Sequence, residues 1–120
     1  MDFRDLECWK NGRIFKNEIK DLVKTFPSHE TYKLIDQITR SARSITANIA
    51  EGDGRYHYQE NIQYCRIARG SINETMNHLI DAFDEEYIDE QTLNKLLEKA
   101  VTIRQILNGY IAYLQKRKKE

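Results

Sequence analysis

Four stretches of the chain repeat apolar residues at alternating steps of three and four, the spacing that lines one stripe of an α-helix. The first, from Asp2 to Thr25, carries Cys8, Gly12, Phe15, Ile19, Leu22 and Phe26, widened by Trp9, Ile14 and Val23. Pro27 cannot continue a helical hydrogen-bond ladder and disfavours helical geometry at Phe26, so this helix is predicted to end just before it. Ser28 is then the expected N-cap of a second helix, His29 to Glu51, with Glu30 in its first turn. That helix has the cleanest seam: Ile35, Ile38, Ala42, Ile45 and Ile49.

A second stripe runs along the same helix, about 120° around from the isoleucines. It consists of Gln37, Ser41, Ser44, Asn48 and Glu51. Exposed helix positions favour Lys, Glu and Arg, whereas short polar residues suit a close helix contact. The stripe therefore reads either as a solvated face or as a contact within or between subunits. Gly52 is predicted to follow the helix end, where a left-handed backbone costs glycine little.

The third segment, Tyr56 to Glu86, carries Tyr58, Ile62, Cys65, Ala68, Ile72, Met76, Leu79 and Phe83. Gly70 stands near its middle, beside Ala68 and Ser71, where close approach of another helix would explain a glycine and a kink is the rival. Asp84, Glu85 and Glu86 sit at the unfavourable end of the helix dipole, so fraying is expected there. Asp89 is the expected N-cap of the fourth helix, whose seam is Leu93, Leu96, Ala100, Ile103, Leu107, Tyr110 and Leu114. No segment has a period of two and no internal repeat is evident. The pattern predicts an all-α fold, one antiparallel up-and-down four-helix bundle over residues 1–120.

Composition narrows the function classes. Nineteen basic and nineteen acidic residues give a formal net charge of +0, which removes the overall basic imbalance of indiscriminate nucleic-acid binders. No apolar run approaches the ~20 residues of a membrane span, and the start lacks a signal peptide's apolar stretch, so a cytoplasmic protein without membrane contact is expected. Cys8 and Cys65 stand outside any CxxC pattern and read as buried free thiols. His29, His57 and His78 have no partner at metal-ligand spacing, and the seams carry no Asp or Glu for a bundle di-iron site. Ser41, Ser44 and Cys65 lack the surroundings of a nucleophile with its base. No metal, no cofactor and no enzymatic activity are expected.

The distribution of charge is more informative than its total. Asp81 to Tyr110 holds seven acids against three bases, and Ile111 to Glu120 four bases against one acid. The tail cations complement a helix C-terminus, which explains them without a ligand. Arg40 and Arg43 lie one turn apart, a spacing repeated by Arg66 and Arg69 near Tyr56, Tyr58 and Tyr64. Such arginines can clamp phosphates, with tyrosines stacking on bases. They fit equally a solvated face or a protein interface.

The run from Phe26-Pro27-Ser28-His29-Glu30 through Gln37-Ile38-Thr39-Arg40-Ser41-Ala42-Arg43-Ser44-Ile45 to Asn48-Ile49-Ala50-Glu51-Gly52 resembles the signature of the 23S rRNA intervening-sequence proteins. Phe3, Leu6 and Trp9, and later Ala68-Arg69-Gly70-Ser71 with Glu74, extend the resemblance over nearly the whole chain. It implies a bacterial four-helix bundle assembling into a homopentamer, encoded within sequences inserted into large-subunit ribosomal RNA genes. A related branch, the accessory proteins of diversity-generating retroelements, is basic, pentameric, and binds a reverse transcriptase and nucleic acid. The zero net charge departs from that branch.

The resemblance supplies no catalytic residues. It points to a non-enzymatic oligomeric scaffold or binding module contacting RNA, DNA or a nucleic-acid enzyme; the alternatives are a protein-only adaptor and a small-molecule-binding enzyme. Gln37, Ser41, Ser44, Asn48 and Glu51 fall on motif positions, as do Gly70, Ser71 and Glu74. The expectation is that the two groups meet at a helix contact, with Arg40 pairing to a glutamate.

Overall fold

The computed structural model describes residues 2–119, and Met1 and Glu120 lie outside them. Four helices follow one another: α1 Glu7–Leu22, α2 Leu34–Asp53, α3 Tyr58–Asp84 and α4 Glu90–Lys118. α1 packs on α2 and α4, and α3 packs on the same two, so the helices stand at the corners of a square in chain order. Contact is most extensive between α2 and α3 and least between α1 and α4. The body measures 50 × 25 × 20 Å, its long axis set by α4, whose 29 residues span about 44 Å. No strand occurs among the described residues.

The seams form the core. Phe15 and Ile19 from α1, Ile38, Ile45 and Ile49 from α2, Ile62, Ile72 and Leu79 from α3, and Leu107 and Leu114 from α4 are fully buried. Each contributes roughly 1.5–3 kcal/mol by leaving water. Cys8 and Cys65 are buried free thiols.

The ends of the helices follow from local chemistry and depart from the sequence reading at four places. Phe26 is extended ahead of Pro27, as expected, but the last turn before it tightens to a 3-10 turn, Val23–Thr25, where Thr25 Oγ1 donates to the Leu22 carbonyl (2.7 Å). Ser28 does not cap α2. It opens a separate 3-10 turn, Ser28–Glu30, and the Glu30 carboxylate caps α2 instead by accepting from the Leu34 N–H (3.3 Å).

Gly52 does not follow α2; it lies buried inside its last turn, and no glycine has a positive φ. A Cβ at Gly52 would stand 2.6 Å from Asn61 Oδ1 and 3.0 Å from Tyr64 Cβ, so close passage of α3 requires this glycine. At Gly70 the opposite holds. Its residue is exposed, a Cβ there would meet nothing within 4 Å, and α3 runs on as one helix, so no helix of the chain approaches it.

The α3–α4 connection is closed by Glu86 in a left-handed conformation (φ 64°). The Tyr87 N–H bonds to the Ala82 carbonyl and the Glu86 N–H to that of Phe83, both at 2.9 Å, a Schellman closure with glutamate where glycine is usual. Asp89 caps α4 as predicted, accepting from the Thr92 N–H at 2.7 Å.

Candidate functional site

Close packing of α2 on α3 gathers part of the polar stripe into one hydrogen-bonded seam. Thr75 Oγ1, wholly buried, donates to the Ser71 carbonyl (2.8 Å) and lies 2.8 Å from Ser41 Oγ. One turn on, Ser71 Oγ lies 2.9 Å from Ser44 Oγ, which accepts from Asn48 Nδ2 at 2.8 Å. These are short side chains because the helices are too close for long ones, and each hydroxyl finds a partner that burial would otherwise deny it.

The remaining residues of the predicted network stay apart from it. Gln37 and Gly70 are exposed. Glu51 pairs with Arg55 of its own helix end (3.8 Å), and Glu74 reaches His78 Nε2 (3.3 Å). Arg40 pairs with Asp36 at 3.3 Å, one turn back, and not with a glutamate. An i,i+4 partner on the same exposed face wins because it requires no bending toward the seam.

Thr75 and Asn61, which fall outside the apolar periodicity, are also buried, and Asn61 engages the half-buried Tyr110 of the α4 seam. Asn61 Nδ2 donates to Tyr110 Oη (3.1 Å) and its Oδ1 faces the Cys65 thiol (3.5 Å). Thr75, one turn from Ser71 on the same face, had a readable signal. The Asn61–Tyr110 pair, 49 residues apart, had none. Burial pushes the thiols of Cys8 and Cys65 up to about 11 and about 12 and the Tyr110 phenol to about 12, so none is a ready nucleophile or base near neutrality.

The arginines sort by face. Along the outer groove between α3 and α4, Arg69 Nη1 donates to Asn108 Oδ1 (2.9 Å), Arg104 Nη1 to Asn73 Oδ1 (2.8 Å), and Lys118 Nζ to Gln59 Oε1 (2.5 Å). Arg66 and Lys119 line the same groove near Lys118, with Gln59 and Gln115. None of these five cations has a carboxylate within ion-pair distance among the described residues. Neutral amides, which bring no opposing charge, hold three of them in place.

Arg43 stands on another face, between α1 and α2, and Arg40 turns away from both. Of the tyrosines, Tyr64 accepts from Arg55 Nη2 (2.6 Å) with the guanidinium 4.9 Å over its ring, while Tyr56 and Tyr58 are exposed. No group of three or more His, Cys, Asp or Glu able to hold a metal is present among the described residues. Nor is any of their helices long and apolar enough to cross a membrane.

The four-helix bundle agrees with the family resemblance, and direct comparison decides the matter: residues 4–109 match the 23S rRNA-intervening sequence protein model. The chain belongs to that family. A search of curated proteins finds no match. Among solved structures, the chain is similar to a protein of unknown function from the S23 ribosomal protein family of Bacteroides thetaiotaomicron VPI-5482. The two share 26% identity and a TM-score of 0.80, over 87% of this chain and 97% of that one. The family match spans the seam and Arg66, Arg69 and Arg104, and stops before Lys118 and Lys119.

Proposed function

We propose that the protein is a non-enzymatic scaffold that associates with copies of itself and holds nucleic acid by its phosphates along the α3–α4 groove. The observation that carries this reading is the row of Arg66, Arg69, Arg104, Lys118 and Lys119, three of them positioned by neutral amides and none in an ion pair among the described residues. From Asn73 to Gln59 the row runs about 21 Å along α3. That is the length of about six phosphates on one duplex strand. Phosphate contacts of this kind position a strand without reading its sequence.

Self-association is supported by the outer side of α3, where Ile67 is 52% exposed and Gly70 lies bare one turn away. An exposed glycine inside a helix is unfavourable in a lone chain, and a packed neighbour supplies a reason for it.

The test is fluorescence anisotropy with a labelled RNA hairpin and a duplex DNA of the same length, from 50 to 200 mM salt. Binding should weaken linearly on logarithmic axes. Replacing Arg66, Arg69 and Arg104 together with Gln should reduce the slope by about 2–3, near one unit per lost phosphate contact. Binding indifferent to salt and to the triple substitution would instead favour the protein-only adaptor. Light scattering on the same samples should show an oligomer, reduced to a monomer by Ile67→Glu.

A further inference from the structure

On the opposite side of the bundle, α1 and α2 enclose a cavity of about 130 Å³ lined by Lys16, Asn17, Lys20, Thr39 and Arg43 above a floor of Ile19 and Ala42. That is more than one water needs, and enough for one tetrahedral oxyanion.

Its three cations stand among neighbours that are engaged elsewhere, Arg13 of α1 over the Trp9 ring and others in ion pairs. Lys10 on α1 pairs with Glu7, Lys24 in the 3-10 turn after α1 with Asp21, and Arg40 on α2 with Asp36. Lys16, Lys20 and Arg43, which converge on the cavity, have no such partner among the described residues, and no carboxylate lines it. Lys16 and Lys20 stand one turn apart, where like charges repel. An anion between them turns that repulsion into attraction. A guanidinium fork, two ammonium groups, a hydroxyl and an amide offer donors from both walls, and a doubly charged phosphate group matches that set better than a singly charged carboxylate does.

We infer that this cavity is a binding site for one phosphate monoester dianion, independent of the nucleic-acid groove on α3 and α4. The dianion could come from a phosphorylated small molecule or from the terminal phosphate of a nucleic-acid strand. The chemistry at the cavity is the same for both.

The test is a heteronuclear NMR titration of the intact chain with inorganic phosphate at fixed ionic strength. Saturable shifts should cluster at residues 16–20 and 39–43. Arg43→Gln and the double change Lys16→Gln with Lys20→Gln should each weaken binding at least tenfold, while Lys24→Gln should leave it unchanged. All four positions are at the surface or half-buried, and the amide spectrum of each variant reports its fold directly.

A second arm adds short RNA bearing either a 5′-phosphate or a 5′-hydroxyl. Displacement of phosphate by the phosphorylated strand alone assigns the site to strand ends, and displacement by neither assigns it to small phosphorylated molecules. The Arg66, Arg69 and Arg104 triple variant should retain phosphate binding, so the two readings fail separately. Shifts scattered over all surface lysines, or equal weakening by Lys24→Gln and Arg43→Gln, would overturn the site.

Discussion

Gly52 shows how a single residue encodes a tertiary distance. Its absent Cβ leaves space for Asn61 Oδ1, and Asn61 cannot step aside because Tyr110 and Cys65 engage its amide. Alanine is intrinsically better in a helix, by about 1 kcal/mol, so propensity alone predicts that Gly52→Ala stabilises. Steric crowding outweighs that gain, and the substitution should lower unfolding stability in urea by about 1–3 kcal/mol. The buried thiols give a second prediction at this scale. Cys8 and Cys65 titrate near 11 and 12 in the folded chain, above their ordinary value of 9.0, so folding favours their protonated forms. Their contribution to stability is complete below pH 9 and is lost as the pH rises through 11 to 12. Denaturant melts between pH 8 and 12 should show that decline, reduced in a Cys8→Ala, Cys65→Ala double variant.

Helices α2 and α3 illustrate what an element's surface records. Ser41, Ser44 and Ser71 are small because two backbones pass close together, and the bonds through Thr75 and Asn48 tie one turn to the next. Gly70, one residue from Ser71, is turned about 100° away and touches nothing in its own chain. Gly70→Ala should therefore raise the stability of the isolated subunit by about 1 kcal/mol, read from denaturant melts at low protein concentration. A loss of stability there would show that the glycine serves the subunit itself.

At the scale of the whole molecule, neutrality is arranged and not uniform. The α1–α2 and α3–α4 sides carry cations without acidic partners among the described residues, while the Lys99–Glu18 pair ties α1 to α4 and Glu74 and Asp81 flank His78 on the Ser71 side of α3. A chain with a net charge of zero can in this way present strongly positive surfaces, because potentials near a surface follow local charge. Total charge is thus a poor guide to the ligands of this protein, and the salt dependence predicted for the α3–α4 groove tests the local arrangement directly.

The sequence by itself determined the four helices, the apolar seams that face inward and the cap at Asp89, because each depends on residues within a few turns of one another. It left the stripe of short polar residues open between a solvated face and a contact; the structure brings Ser41, Ser44, Asn48 and Ser71 together and leaves Gln37, Glu51, Gly70 and Glu74 outside. Only the tertiary structure decided that Gly52 packs against another helix of its own chain and Gly70 does not, that Glu30 caps α2, and that Asn61 meets Tyr110. It alone separated Arg43 from Arg66 and Arg69, placing them on opposite sides of the bundle. Periodicity fixes which face of a helix turns inward; which neighbour that face meets, and which cations are left without an acid, depends on how the helices are set against one another in space.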